Sequence, residues 1–67
     1  MQITVNDQIH NFDIEKMSVY ELIQRIGIEN KKYAIECNGA IIPKSELKDR
    51  TIQQGDKFEI VGAVGGG

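Results

Sequence analysis

Apolar and polar residues alternate in two short stretches at the start of the chain. Met1, Ile3 and Val5 are apolar positions of the first stretch, and residues 9–14 continue the alternation after a polar link, Asn6-Asp7-Gln8. A period of two is typical of β-strands, and a polar link between two such stretches is typical of a turn. We therefore expect an N-terminal β-hairpin.

The spacing then changes to that of an amphipathic helix. Four apolar residues stand at i, i+3, i+4 and i+7: Val19, Leu22, Ile23 and Ile26. This spacing places them on one face of a helix. Ser18 precedes Glu21 by three residues, which predicts a helix start where each side chain bonds the backbone amide of the other. Gly27 is suited to end the helix, because glycine readily adopts the left-handed conformation found there.

Strand patterns return in the second half of the chain. Residues 33–37 alternate, and Asn38-Gly39 follows, a strong signal for a hairpin turn because both residues tolerate positive φ. The return strand, residues 40–42, meets Pro43, which lacks an amide hydrogen and so ends the strand or confines it to a sheet edge. Turn-forming residues 53–56 precede a last predicted strand, residues 57–61, with Phe58 and Ile60 on its buried side.

The predicted order ββαββ contains one helix to cover the apolar face of the sheet. This favours an α+β domain of the β-grasp type, with a mixed sheet of four or five strands on one helix and the first and last strands adjacent in its centre. The predicted domain is residues 1–61. Residues 62–67 are predicted to form a flexible glycine-rich tail, which can extend about 20 Å at roughly 3.3–3.6 Å per residue.

Composition narrows the possible functions. The chain has 67 residues and a net charge of −2, with 40% hydrophobic and 27% charged residues, which suits one small domain without a deep cleft. Lys31-Lys32 is the one adjacent basic pair, which argues against nucleic-acid binding. No apolar run reaches the roughly 18–20 residues of a membrane span, and the N-terminus does not resemble a secretory signal. We expect a cytoplasmic protein that binds neither membranes nor nucleic acid.

Candidate catalytic and metal-binding residues are few. Cys37 is the single cysteine and His10 the single histidine, so an internal disulfide is excluded and a cysteine-based zinc site is not expected. Cys37 occupies an apolar position of an alternating strand, which favours a buried thiol over a nucleophile. No set of acid, base and nucleophile is evident, so we expect no catalytic residue, no metal site and no enzymatic activity.

The chain ends in Val64-Gly65-Gly66-Gly67. Glycines can enter narrow clefts, and the α-carboxylate of Gly67 is ionised at neutral pH. After activation as an acyl-phosphate type of anhydride, this carboxyl carbon could be attacked by sulfide or by an amine. Taken alone, such an ending is more often a frayed terminus, and only the rest of the chain changes that interpretation.

Several stretches resemble the ThiS family of bacterial sulfur carriers in thiamine biosynthesis, which are ubiquitin-like β-grasp proteins. They match in order and spacing over essentially the whole chain: Met1-Gln2-Ile3 with Asn6-Asp7, Ser18-Val19-Tyr20-Glu21-Leu22, Asn38-Gly39-Ala40-Ile41-Ile42-Pro43, Gly55-Asp56-Lys57-Phe58-Glu59-Ile60-Val61 and the terminal glycines. The family ends in Gly-Gly, so Gly65 is an extra spacer. The family more often has an apolar residue at position 37, which agrees with a core role for Cys37.

The resemblance implies a carrier that is modified at Gly67. A ThiF-type adenylating enzyme would use ATP and Mg²⁺ to join AMP to the Gly67 carboxylate, so this chain itself would need no cofactor. A sulfur donor such as a cysteine desulfurase would then supply sulfur for a thiocarboxylate, and a ThiG-type thiazole synthase would accept it. Gly65 and Gly66 would thread the tail into the partner.

Partner recognition is expected to rely on apolar residues beside the tail, with Val61, Ala63 and Val64 as candidates. Three other functions remain open: a sulfur carrier for molybdopterin synthesis or another pathway, a ubiquitin-like modifier that is attacked by a lysine, and a β-grasp interaction module with an inert tail.

Overall fold

A computed structural model of the chain describes residues 1–62. That range contains five strands, one α-helix and one short 3₁₀-helix. The strands are Gln2–Val5 (β1), Gln8–Asn11 (β2), Tyr33–Cys37 (β3), Ala40–Ile41 (β4) and Lys57–Gly62 (β5); the α-helix is Val19–Ile26 (α1), and the 3₁₀-helix is Lys44–Glu46. The predictions for residues 63–67, which are all but the first residue of the predicted tail, lie outside the described residues.

The strands form one mixed sheet in the order β2-β1-β5-β3-β4. β1 and β5 are parallel and adjacent, whereas the β1–β2, β5–β3 and β3–β4 pairs are antiparallel. The two strands that are farthest apart in the chain therefore lie side by side within the sheet. This is the predicted β-grasp arrangement, with α1 covering one face.

In each of the two hairpins, a two-residue turn with positive φ angles connects the strands. Asn6 and Asp7 have φ values of 49° and 67°, and Asn38 and Gly39 have values of 52° and 90°. Such turns match the twist of the strands that they join. The predicted turn at Asn38-Gly39 is confirmed, and the first hairpin turns at Asn6-Asp7.

Helix α1 begins and ends as its sequence predicts, with one difference. The Ser18 hydroxyl accepts a hydrogen bond from the Glu21 amide at 3.1 Å, and Gly27, at φ 89°, donates its amide to the carbonyls of Ile23 and Gln24. The Glu21 carboxylate does not complete the reciprocal bond that we expected. It accepts from Arg25 at 3.1 Å instead, because a guanidinium one turn later offers a charge-assisted partner.

The core lies between α1 and the inner face of the sheet. Its most deeply buried side chains come from the helix, the loop before it and the three central strands: Ile3, Met17, Val19, Leu22, Ile23, Ile35 and Phe58. Cys37 belongs to this core, as predicted. Ile26 was expected on the buried stripe but is 36% exposed, because the last turn of α1 lies beside an open cavity.

β5 extends one residue beyond its predicted end. Gly62 is paired with Tyr33 in the sheet, so the sheet includes the first residue of the segment that we expected to be tail. The pairing of β5 with β3 continues one residue beyond the Val61–Ala34 pair, because the backbone of Tyr33, the first residue of β3, lies opposite Gly62.

Asparagine side chains from the two turns hold β5 in place. Ile60 donates its amide to the Asn6 Oδ1 atom at 2.7 Å, and the Asn6 Nδ2 atom donates to the Ile60 carbonyl at 3.1 Å. The Asn38 Oδ1 atom accepts from the Lys57 amide at 2.9 Å. The Asn6 side chain thus continues the β1–β5 ladder after the backbone of β1 has turned away.

Replacing Asn6 by glycine tests this contact without straining the turn, because glycine accepts positive φ. We expect Asn6→Gly to lower the free energy of unfolding by about 1–2 kcal/mol, since two hydrogen bonds to the backbone are lost. Urea denaturation followed by circular dichroism measures the change. The matched control is Asp7→Gly in the same turn, which should stay within about 0.5 kcal/mol of the parent. Equal stability of the two variants would contradict the assigned role of Asn6.

Candidate functional site

The end of the central strand is where the predicted functional residues begin. We call Ile60, Val61 and Gly62, the last residues of β5, the tail root. Of the predicted site residues, the structure describes Val61. The others, Ala63, Val64, Gly65, Gly66 and Gly67, lie outside the described residues.

Val61 points away from the helix. Its side chain is 65% exposed and stands opposite Ala34, while its neighbour Ile60 is partly buried on the core side. Ile41, at the sheet edge, is 68% exposed and stands opposite Glu36 on the same outer face. The expected exposure of an apolar residue at the tail root is confirmed for Val61. Its contact with a partner stays a prediction.

Two carboxylates lie beside these apolar residues. Glu36 and Glu59 are directly opposite each other across β3 and β5, an arrangement that destabilises a sheet through like-charge repulsion. The ion pairs within residues 1–62 are Arg25–Glu21 and Arg50–Glu46, and neither includes these two carboxylates. The outer face at the tail root therefore combines apolar side chains with negative charge, which suits a partner surface that carries a basic side chain.

Gly62 is the point where the chain comes closest to the loop before β3. A Cβ atom at position 62 would lie 2.5 Å from the Lys32 carbonyl oxygen and 3.1 Å from the Tyr33 Cα atom. Real Cβ atoms essentially never lie within 3.0 Å of another heavy atom of this kind. A side chain at position 62 would therefore displace either the strand end or the loop. The absence of a side chain at Gly62 allows β5 to pair up to its last residue.

A cavity of about 170 Å³ opens on the helix side of the tail root. Ile26, Ile28, Tyr33 and Ile60 supply apolar walls, and Lys31 and Lys32 belong to its lining. The Lys44 ammonium lies 4.6 Å from the centre of the Tyr33 ring. Burial raises the pKa of the Tyr33 hydroxyl above its usual value. Sequence reasoning missed this cavity, although the apolar residues on both sides of Gly27 were a signal that it could have used.

The remaining candidates for chemistry are separated from the tail root. Cys37 is 8% exposed, and burial first, then the Asp56 carboxylate, raises the pKa of its thiol. The thiol is therefore un-ionised at neutral pH and a poor nucleophile. His10 stacks on Phe12 with ring centres 6.3 Å apart. In the part of the chain that the structure describes, no three His, Cys, Asp or Glu side chains are grouped as metal ligands, and no helix is long and apolar enough to cross a membrane.

Comparisons with known proteins agree with this geometry. The model of the ThiS family matches residues 3–67. The crystal structure of the thiamine biosynthesis protein ThiS from Geobacter metallireducens superposes with a TM-score of 0.85, at 28% identity and over 100% of both chains. A solution structure of a thiamine biosynthesis protein from the same organism gives a TM-score of 0.76 at 25% identity, over 91% of this chain and 81% of that one.

A longer relative is also similar. The thiazole synthase of Paramagnetospirillum magneticum is 37% identical over 67 residues, which are 100% of this chain and 20% of that protein. The chain thus spans about a fifth of the length of this relative.

The topology and the matched structures define a ubiquitin-like β-grasp protein with its last strand in the middle of the sheet. Because the family model covers nearly the entire chain, including the glycines at its end, the particular family is also defined. The chain belongs to the ThiS family.

A methyl group at Gly62 should disturb the tail root. We expect Gly62→Ala to lower the free energy of unfolding by about 1–3 kcal/mol, because the new Cβ atom meets a backbone carbonyl that has little room to move. Thermal and urea unfolding measure the change. Val61→Thr keeps a β-branched side chain at the neighbouring exposed position and should stay within about 0.5 kcal/mol of the parent. A Gly62→Ala variant as stable as this control would show that the close approach is unimportant.

Proposed function

We propose that this chain carries sulfur as a thiocarboxylate on Gly67 and delivers it for the synthesis of the thiazole ring of thiamine. The observation that carries the proposal is the family match, which extends through residue 67 and so includes the terminal glycines. The crystal structure matched over the full length of both chains supports it, because it has the same fold and is the structure of a thiamine biosynthesis protein.

The proposed chemistry takes place in two steps at the Gly67 carboxyl group. A carboxylate oxygen attacks the α-phosphorus of ATP, bound with Mg²⁺ by a ThiF-type enzyme, and pyrophosphate leaves. Sulfide then attacks the carbonyl carbon, the bond from this carbon to the AMP oxygen breaks, and a thiocarboxylate and AMP result. If the donor is a cysteine desulfurase, its sulfur is held as a persulfide, and a thiol reductant supplies the two electrons that release it as sulfide. Activation is necessary because a carboxylate resists attack by an anionic nucleophile.

In this proposal the chain is a protein substrate, not an enzyme. ATP, Mg²⁺ and the sulfur donor belong to its partners, while the chain supplies a carboxylate and a surface for recognition. Gly65 and Gly66 have no side chains to obstruct a narrow channel. The folded body, residues 1–62, holds the start of the tail at the end of a central strand.

Similarity to a thiazole synthase supports the proposed acceptor. In the protein from Paramagnetospirillum magneticum, a segment 37% identical to this chain is part of a polypeptide named as a thiazole synthase. Joining two modules in one chain raises their effective concentration at each other. The arrangement is therefore expected where a carrier and its acceptor enzyme act in sequence.

Removal of the last two glycines tests the carrier function directly. After incubation with ATP, Mg²⁺, cysteine and a lysate that contains the adenylating system, intact mass should increase by the exchange of one oxygen for one sulfur, mapped to Gly67. Deletion of both Gly66 and Gly67 should abolish this change, because deletion of Gly67 alone would still leave a Gly-Gly ending, Gly65-Gly66. The matched control is Gly65→Ala, which alters the spacer and should retain the change.

The other functions predict different masses in the same assay. A lysine adduct in place of the sulfur exchange would identify a modifier, and an unchanged mass with an active lysate would support an inert interaction module. Sulfur exchange that supports an acceptor other than thiazole synthase would indicate a carrier for a different pathway. Exchange of oxygen for sulfur in the variant that lacks Gly66 and Gly67 would contradict the assigned position.

The outer face at the tail root can be tested by a charge at Val61. We expect Val61→Asp to raise the KM of the chain as a substrate of the adenylating enzyme by about tenfold, because a third carboxylate joins Glu36 and Glu59 and an apolar contact is lost. Pyrophosphate exchange at varied carrier concentration measures KM. Ile9→Asp is the control, since Ile9 is 64% exposed on the opposite edge strand. An equal rise in both variants would rule out a specific role for Val61.

A further inference from the structure

The cavity beside the tail root is a second surface that the outer-face residues do not explain. It lies on the helix side of the sheet, between the C-terminal end of α1 and β5, and Asn6 and Val5 reach its floor from β1 and the following turn. Ile26, at 36% exposed, lies at its edge. The rest of the described chain thus covers Ile26, an apolar residue of the helix stripe, only in part.

The size of the cavity fits one large apolar side chain. A volume of about 170 Å³ exceeds the roughly 150 Å³ of an apolar protein cavity that holds benzene. Its walls carry far more apolar than polar surface, and the Asn6 amide is already bonded to Ile60. Water would find few partners here, so an apolar occupant gains from the exchange.

Positive charge surrounds this apolar opening. Lys31 and Lys32 line it, and Lys44 lies over the ring of Tyr33. Neither ion pair within residues 1–62 uses these lysines, since both pairs are formed by arginines. In a chain with a net charge of −2, two lysines in the lining of one cavity, and a third over the ring of Tyr33 in the same lining, are a local concentration of positive charge. The complementary surface is an apolar side chain flanked by carboxylates.

The position of the cavity indicates which partner could use it. Gly62 pairs with Tyr33 and lies against the Lys32 carbonyl, so the tail starts directly beside this cavity. The five residues after Gly62 reach at most about 18 Å at roughly 3.3–3.6 Å each. An enzyme that brings the Gly67 carboxylate to its ATP must therefore hold the body of the chain close to the tail root.

We propose that this cavity, with Lys31 and Lys32 at its mouth, is a docking site for an apolar side chain flanked by carboxylates on the adenylating enzyme. The inference rests on the proposed carrier function and adds a second contact on the other side of the tail root. The short reach of the tail favours this enzyme as the occupant, because the enzyme that activates Gly67 must hold the body of the chain beside the tail root.

Charge reversal at the mouth of the cavity tests the proposal in the full-length chain. We expect Lys31→Glu together with Lys32→Glu to raise the KM in pyrophosphate exchange by about tenfold and to leave kcat within about twofold, because docking is weakened and the chemistry is not. The control double variant, Lys16→Glu with Lys48→Glu, changes the net charge equally at exposed positions that do not line this cavity. It should stay within about threefold of the parent KM.

A second variant and an NMR titration test the apolar contact separately from the effect of charge. Ile26→Ser should raise KM in the same direction with a melting curve close to that of the parent, because Ile26 is already partly exposed. Titration of the labelled chain with unlabelled adenylating enzyme should shift the NMR signals of the Ile26, Ile28 and Ile60 methyl groups. The methyl groups of the remote Ile9 should stay unchanged.

The outcomes distinguish this inference from the function on which it rests. If the parent chain supports no pyrophosphate exchange that depends on Gly67, the carrier function itself is wrong, and the docking site is overturned with it. If the parent is active and the two double variants have equal KM values, or the cavity methyl signals do not shift, the docking site alone is overturned. A KM rise specific to Lys31 and Lys32, with shifts at the cavity, supports it.

Discussion

The parallel contact between β1 and β5 is the interaction on which the other parts of this fold depend. It joins residues from opposite ends of the chain: the Thr4 amide bonds the Asp56 carbonyl at 3.0 Å, and the Asn6 amide bonds the Phe58 carbonyl at 2.9 Å. Because parallel strands require a long connection, everything between them must form a crossover. That crossover contains α1, which covers the inner face, and β3 and β4, which complete the sheet on the far side of β5.

Under the proposed function, this arrangement separates recognition by a partner from the chemistry at Gly67. The body can be rigid, with Phe58, Leu22 and Ile23 fully buried, while the reactive carboxylate is proposed to lie beyond it. The tail root then has two unlike surroundings, one with paired carboxylates and exposed apolar residues, and one with an apolar cavity and lysines. A partner that contacts both surroundings would meet negative charge on one face of β5 and positive charge on the other. This difference favours a single orientation of the tail.

Much of the fold could be predicted because local rules and the global pattern agree. Alternation and turn-forming pairs such as Asn38-Gly39 located the strands, and Ser18 and Gly27 located the helix. Three details depended on contacts that a local pattern does not contain. Arg25 competes for Glu21, Ile26 borders a cavity, and Gly62 stays in the sheet because Lys32 and Tyr33, distant in sequence, pass beside it. For the candidate site, the sequence predicted the exposure of Val61 but not the cavity, which forms only when α1, β1 and β5 meet.

The hydrogen bonds of β5 have a mechanical consequence. A partner that draws the tail into a channel pulls on Gly62 along the axis of this strand. β5 is flanked by β1 and β3 and is held further by Asn6 and Asn38, so the load falls on many bonds at once in shear, rather than on one bond at a time as in peeling. Tension on the tail is therefore transmitted to the whole sheet, and the body can act as a stop that limits how far the carrier is drawn in.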